Sequence, residues 1–295
     1  MTYRSLAALV LAVSASATLA ADPVLKPFVL ARKASGDPAL VATDVKGQLE
    51  AAGFQVVGSY QPYPGATVLA ITSDELKTAA ASQKLGGYVA AQRVTVTALG
   101  DEVQVAFTSP VYMQHAYRLK ADLAPVEQKL SAALGRLEAY GPKDGRTAKD
   151  LKGYHYMFGM PYFDEPSEIA HFGSHEQALK VVEKGLAARR GGASQVYRID
   201  LPGTEESVFG VALTDGCGGD AFIMKEIDFK PLRSTGHLPY EVLVTGSEVL
   251  ALHAKFRIAM NFPDLAMMGA NSFMNIRCAP DAIEDALKRV AGTKR

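Results

Sequence analysis

The residues best suited to chemistry are the chain's two cysteines, Cys217 and Cys278. Cys217 stands in the stretch LTDGCGGDAF (213–222), where a strand pattern gives way to a helix pattern. A thiolate at the start of a helix has a lowered pKa, and nearby backbone N–H groups can stabilise an oxyanion. Cys217 is therefore a candidate nucleophile, with one of the six histidines as its general base.

A disulfide between Cys217 and Cys278 is the interpretation we favour. Both cysteines lie in the second half of the chain, each directly before a predicted helix, and the first half contains none. In an oxidising compartment two cysteines tend to pair. Catalysis by Cys217 then stands as the alternative, together with two unpaired structural thiols.

The glycines around Cys217 resemble a nucleotide-binding motif only formally. Gly216, Gly218 and Ala221 match G-x-G-x-x-A, the dinucleotide fingerprint. That motif needs a parallel strand after its helix, with an acidic residue at the strand's end. The chain instead continues into DFKPLRSTGHLP (228–239), so we expect no cofactor.

Methionine and histidine could together bind copper, because thioether and imidazole ligands suit that metal. The candidates are Met113 and His115 in VYMQHAY, with Met267 and Met268 further along the chain. Met267 and Met274 stand seven apart, a spacing typical of a buried helical face. We therefore favour core packing, and expect no metal.

Aromatic residues provide the candidates for a small-molecule site. Six Tyr or Phe residues occupy GYHYMFGMPYFDEPSEIAHF (153–172), and such segments between domains often line pockets. The alternative is an interdomain plug of apolar side chains. The ligand-binding candidates are Tyr112, Met113, His115, Tyr156 and Tyr162.

The N-terminus predicts export from the cytoplasm. Residues 1–20 place Arg4 before an apolar stretch, then small residues suited to cleavage between Ala20 and Ala21. We therefore expect a signal peptide, a periplasmic or secreted mature protein and no membrane anchor after cleavage. Lys plus Arg and Asp plus Glu number 31 each, so no large basic field favours nucleic acid.

Two stretches repeat the same order of features, which predicts a tandem α+β protein. Pro64-Gly65 and Pro202-Gly203 each form a turn between two strand patterns, after a helix pattern. The hairpins YVAAQRVTVTALGDEVQVAFTSP and LPYEVLVTGSEVLALHAKFRIAMNFP follow, each ending at a proline, and a helix closes each copy. The sequence thus predicts two tandem β-α-β-β-α-β-β-α units, with mainly antiparallel sheets and helices packed on one face.

The predicted boundaries follow from this repeat. We place a first repeat at 26–140, a polar linker at 141–159 and a second repeat at 160–292. The linker contains GPKDGRTAKDLKG, which is rich in glycine and lysine.

The motifs LPYEVLVT and PVYMQHAYRL resemble the bacterial domain-of-unknown-function 302 family. The resemblance implies a compact α+β sandwich in each copy. The first copy has Ala90-Ala91 where the motif LPYEVLVT begins with Leu-Pro. The second copy has PDLAMMGANSF where the first has the histidine-containing motif PVYMQHAYRL.

These observations favour a secreted, non-catalytic protein that binds a small molecule or a protein partner. No set of residues with the demanding spacing of a catalytic site is evident in the sequence. An enzyme using Cys217 and a periplasmic copper-binding protein are the alternatives.

Overall fold

The computed structural model describes residues 22–293. The predicted signal peptide 1–20 and its cleavage point between Ala20 and Ala21 lie outside these residues. Within the described range, no helix is both long and apolar enough to cross a membrane.

The described residues form two antiparallel sheets, one of six strands and one of five. The first sheet contains β1 (Phe28–Ala34), β2 (Gln55–Tyr60), β3 (Ala66–Thr72), β4 (Gln92–Leu99), β5 (Glu102–Thr108) and β6 (Glu138–Tyr140). The second contains β7 (Ser167–His171), β8 (Ala193–Asp200), β9 (Glu206–Leu213), β10 (Tyr240–Thr245) and β11 (Glu248–Ala251).

Helices alternate with these strands along the chain. Those of the first half are α1 (Pro38–Ala51), α2 (Asp74–Ala81), α3 (Pro110–Ala116) and α4 (Ala124–Leu134), and α5 (Ala148–Lys152) follows. Those of the second half are α6 (His175–Ala187), α7 (Asp220–Ile227), α8 (Ala254–Asn261) and α9 (Ala279–Val290). The prediction of an α+β fold with antiparallel sheets is confirmed.

The two halves arrange their strands in the same order. The first sheet runs β2-β3-β4-β5-β1-β6, and the second runs β8-β9-β10-β11-β7. Each sheet also has a register shift in the corresponding edge strand, between Val56 and Gly58 in β2 and between Gln195 and Tyr197 in β8. A bulge adds one residue to a strand and bends it, so β2 and β8 share a local shape as well as a position.

Each half has one helix more than the predicted unit. Ser109 caps α3 by accepting from the Tyr112 backbone nitrogen, and Pro110 occupies the first turn, where its missing N–H costs nothing. In the second half, the prediction of a strand that continues to Pro263 is wrong. The strand β11 ends at Ala251, and the His253 side chain caps the helix that follows, α8.

The start of α6 forms half of its predicted capping box. The Ser174 side chain accepts a hydrogen bond from the Gln177 backbone nitrogen at 3.2 Å. The Gln177 side chain does not return to Ser174 but accepts from the Gly173 nitrogen at 3.0 Å. The first bond satisfies a backbone donor that the first helical turn leaves free, and the second satisfies the donor just before the cap.

The molecule has four layers: helices, sheet, sheet, helices. α1 and α4 cover one face of the first sheet, and α6 and α9 cover the outer face of the second. In β4, Val94 and Val96 face the helices, as the period of two in a strand requires. Arg93 and Thr97 point the other way and contact the second half, so the sheets meet face to face.

The segment 141–159, predicted as a linker, packs against the second half. It contains α5, and the Tyr154 hydroxyl donates to the Ala259 carbonyl at 3.2 Å. The Tyr112 hydroxyl donates to the next carbonyl, Met260, at 2.8 Å. Two tyrosines from outside the second half therefore satisfy carbonyls in the last turn of α8.

Candidate functional site

Cys217 and Cys278 meet at the beginnings of two helices. Cys217 lies in the short 3-10 turn Gly216–Gly218 before α7, and Cys278 is the N-cap residue of α9. Their sulfur atoms are within disulfide distance, with the Cα atoms 6.0 Å apart, as in ordinary disulfides. Neither cysteine is free. A paired Cys217 has no thiolate to act as a nucleophile.

The copper candidates do not share one environment. The Met113 side chain is 2% exposed within the first hydrophobic core, whereas Met268 is 75% exposed on the loop after α8. Met267 lies on that loop too, and Met274 is also exposed, so the expectation of a buried helical face is wrong there. Within residues 22–293, no group of three or more His, Cys, Asp or Glu side chains is arranged to hold a metal.

The predicted aromatic candidates lie in three places. Tyr112 is fully buried, with its hydroxyl on the Met260 carbonyl, and His115 on the same helix is half-buried. The Tyr162 ring packs on the His155 ring at 4.3 Å between centroids, on the surface of its own segment. Tyr156 lines a narrow apolar groove against α8. The structure therefore does not bring these residues into one site.

A layer of charged and polar side chains lies buried between the sheets. Arg93 and Glu241 form an ion pair at 2.6 Å, each at most 2% exposed, and come from the corresponding strands β4 and β10. The Tyr197 hydroxyl donates to the same carboxylate at 2.5 Å. A buried pair is stable only when further hydrogen bonds compensate its lost hydration, and Tyr197 supplies one of them.

A second part of this layer leads towards the surface. Arg257 of α8 donates to the His237 carbonyl at 2.5 Å and lies over the Tyr240 ring. Burial, and then the nearby Arg257 and Arg93, lower the pKa of His237 well below its usual value. The neutral His237 ring accepts from the Asn261 amide at 3.0 Å. These contacts therefore lead from Arg257 through His237 to Asn261.

Asn261 lies on the wall of a cavity of about 310 Å³. The cavity is formed by the chain after α7 and the chain after α8, and β6 closes it from the first half. Its volume corresponds to about ten water molecules and falls at the lower end of small-molecule sites. Its lining residues are Tyr140, Gly141, Ile227, Asp228, Phe229, Lys230, Pro231, Leu232, Ser234, Asn261, Phe262, Asp264, Leu265, Ala266, Ala270 and Asn271.

The Asn261 side chain has one satisfied end and one unsatisfied end. Its Nδ2 donates to the Arg257 carbonyl at 3.1 Å and contacts His237. Its Oδ1 is buried and has no hydrogen-bond partner among the described residues. An unpaired buried acceptor costs about 1–3 kcal/mol. Because this oxygen has almost no accessible surface, it lies behind the cavity wall.

Asp228 is the buried carboxyl group of the cavity wall. Its two oxygens lie 2.9 and 3.1 Å from the Ser234 backbone nitrogen. Burial raises its pKa to about 7, although the Ser234 N–H and the charge of Arg233 act in the opposite direction. The group therefore titrates near neutral pH.

Two cations near the cavity already have partners. Lys230 forms an ion pair with Asp264, which joins the two loops at the surface. Arg233 donates to the Asp228 carbonyl oxygen. The Tyr140 hydroxyl in turn donates to the Arg233 carbonyl at 2.7 Å. Each of these cations thus has one partner and keeps further N–H donors.

The sequence did not single out this cavity. Most of its residues come from DFKPLRSTGHLP and PDLAMMGANSF, which were noted as departures from known patterns and, in the second stretch, for two methionines. The connection 262–278 is longer than its counterpart 117–123 between α3 and α4. A long loop present in only one of two similar halves is the signal that could have indicated a site, because loops often carry function.

Comparisons with family models, curated proteins and solved structures find no match to this chain.

Proposed function

We propose that the protein is a secreted, non-catalytic binding protein and that the cavity beside Asn261 holds its small-molecule ligand. The observation that carries the proposal is the cavity itself, in which a largely apolar wall with three aromatic rings includes one buried carboxyl group, Asp228. Binding sites commonly combine such a wall with a few polar groups that orient the ligand.

The two halves support the proposal through their difference. We infer that they are tandem copies of one unit, since they share strand order and the position of a bulge. The copies then provide a common scaffold, and two loops of the second copy build the site: 228–239, and 262–278, which is longer than its counterpart. The resemblance to the domain-of-unknown-function 302 family remains a prediction about the ancestry of that unit.

The compartment belongs to the same proposal. The leader at 1–20 favours export, and the pairing of Cys217 with Cys278 favours an oxidising space. A periplasmic or secreted location would place the cavity in contact with small molecules from outside the cytoplasm.

The proposal can be tested with 2-phenylethanol, a neutral probe with an apolar ring and one hydroxyl group. We expect it to shift the methyl resonances of Ile227, Leu232 and Leu265, with a dissociation constant of about 1 mM or lower. Methyl-labelled NMR spectra would measure this during titration.

A variant that narrows the cavity provides the comparison. Ala270→Trp adds a ring at the cavity wall and should weaken binding at least about tenfold. Ala132→Trp, on the exposed side of α4, makes the same change away from the cavity and should bind as the native protein does. Unchanged spectra of the native protein at saturating probe would contradict the proposal, as would equal binding by Ala270→Trp.

A further inference from the structure

We propose that a second depression, the cleft where the two halves meet along α7, binds a small organic carboxylate. The cleft shares only Asp228 and Phe229 with the cavity beside Asn261, so the inference goes beyond the proposed function and does not depend on it. Its volume of about 550 Å³ suits a small-molecule site. Its lining residues are Tyr63, Pro64, Thr97, Ala98, Ala221, Met224, Lys225, Asp228, Phe229 and Arg233.

Two cations line the cleft, and neither forms an ion pair among the described residues. Lys225 is exposed on α7, where its side chain has no hydrogen bond to any described residue. The Arg233 side chain is half-buried, and its one hydrogen bond goes to the Asp228 carbonyl oxygen. The Arg233 nitrogens that lack a partner are accessible to solvent. The cleft therefore offers two positive groups with free N–H donors.

The hydroxyl groups beside Arg233 have a donor to spare as well. The Tyr63 hydroxyl lies 2.7 Å from Thr235 Oγ1, which lies 2.9 Å from Thr97 Oγ1. Three hydroxyl protons and two contacts leave one proton for a further acceptor. Burial raises the pKa of Tyr63, and the charge of Arg233 acts in the opposite direction, so the hydroxyl and the guanidinium lie near each other.

Asp228 is the one acidic residue of the cleft wall. Its carboxyl group is buried, and both of its oxygens lie within hydrogen-bond distance of the Ser234 backbone nitrogen. Burial raises its pKa to about 7, so at pH 6 most of this group carries a proton while an ordinary carboxylate ligand stays ionised. The wall then has two positive charges and no full negative one. A carboxylate suits such a wall, because a guanidinium can donate two parallel hydrogen bonds to it.

The rest of the cleft suits an apolar body attached to that carboxylate. Tyr63, Pro64 and Ala98 line it from the first half, and Met224 and Phe229 line it from the second. The Phe229 side chain is 52% exposed, so a ligand that covers it removes apolar surface from water. A bare inorganic anion would leave these side chains uncovered, which favours an organic anion.

Three probes of similar size and different charge test the inference: 3-phenylpropanoate, 2-phenylethanol and 2-phenylethylamine. Methyl NMR at pH 6 would follow Ala98, Ala221 and Met224 during each titration. We expect the propanoate to shift these methyl resonances with a dissociation constant of about 1 mM or lower. It should bind there at least about tenfold more tightly than the alcohol or the amine.

Lys225→Glu reverses one charge of the cleft at an exposed position that has no partner to lose. It should weaken binding of the propanoate at least about tenfold. Lys180→Glu, at an exposed lysine of α6, is the matched control and should bind as the native protein does. Neither variant should change the shifts that 2-phenylethanol causes in the cavity beside Asn261, which reports that the fold is intact.

The outcomes distinguish this inference from the proposed function. Unshifted cleft methyls at saturating propanoate would overturn it, as would equal binding of the alcohol or the amine in the cleft, or native affinity in Lys225→Glu. If the propanoate shifts only Ile227, Leu232 and Leu265, it occupies the cavity instead, and the inference fails while the proposed function stands. If the propanoate binds the cleft and the alcohol shifts no cavity methyl, the proposed function fails and the inference stands.

Discussion

Asp220 shows what a single buried carboxyl group does in this molecule. It is 2% exposed at the start of α7, where its Oδ2 accepts from the Tyr60 hydroxyl at 3.1 Å and from the Leu213 backbone nitrogen at 3.2 Å. Burial raises its pKa to about 7, against the lowering effect of these hydrogen bonds and of the nearby Arg257. The folded protein therefore retains a proton there that the unfolded chain releases near pH 4.

This proton couples stability to pH. Between about pH 4 and pH 7 the folded state binds more protons at Asp220 than the unfolded state, so the free energy of unfolding falls as pH rises. The slope is at most about 1.4 kcal/mol per pH unit for one group. Asp228 has the same sign, since its pKa is also raised to about 7.

Asp220→Asn should remove the contribution of this carboxyl group to the pH dependence of the free energy of unfolding. The variant cannot ionise, so its free energy of unfolding should fall less than that of the native protein between pH 5 and pH 8. Urea denaturation at both pH values measures the difference, with the exposed Asp44→Asn as a control that keeps the native slope. The same fall in Asp220→Asn as in the native protein would contradict the assignment.

At the scale of elements, the close approach of β2 and β8 depends on Gly58. A Cβ atom at this position would overlap the Val196 carbonyl oxygen and crowd the Tyr197 side chain. Both strands are edge strands of their sheets, and each is bent by a bulge at this point. The absence of a side chain at Gly58 therefore lets the two halves come together.

Gly58→Ala should lower the free energy of unfolding by about 1–3 kcal/mol, because the two backbones must move apart. Gly47→Ala is the matched control in the interior of α1, where an added Cβ meets open space. It should stabilise the protein by up to about 1 kcal/mol, since alanine favours the helix. Chemical denaturation compares the two, and equal stability of both variants would show that β2 and β8 do not need this close approach.

The elements also show which features a sequence pattern can predict. The turns Pro64-Gly65 and Pro202-Gly203 and the helix capped by Ser174 follow from local chemistry, and all three occur where predicted. α8 was missed because its apolar residues continue those of β11 without an obvious break, and the cap comes from a histidine, His253.

The site could not be predicted in the same way, because its parts are distant in sequence. Tyr140 reaches the cavity from the first half, whereas Asp228 and Asn261 come from two separate loops of the second. The pair of Arg93 and Glu241 likewise depends on two sheets meeting face to face. No periodicity or spacing encodes such meetings, and only the long loop 262–278 of the second half could have indicated a site.

At the scale of the whole molecule, Cys217 and Cys278 stabilise the half that carries the cavity. They join the starts of α7 and α9 across a separation of 61 residues. Closing a loop of that size restricts the unfolded chain by roughly 4 kcal/mol on the entropy model. Of the two loops that form the cavity, one follows α7 and the other precedes α9.

Reduction of the disulfide should therefore lower the free energy of unfolding by up to about 4 kcal/mol. Urea denaturation of exported protein, with and without a reducing agent, measures the change. A variant with both Cys217→Ser and Cys278→Ser should be insensitive to the reducing agent. Finding free thiols in the unfolded, unreduced protein would contradict the pairing.

The central claim is that the cavity beside Asn261 is the ligand site, and a crystal structure of the protein grown with 2-phenylethanol tests it most directly. We expect density for the alcohol inside the cavity, with its ring against the apolar wall and its hydroxyl group near Asp228. An empty cavity at saturating alcohol, or alcohol bound only elsewhere, such as the groove beside Tyr156, would contradict the claim.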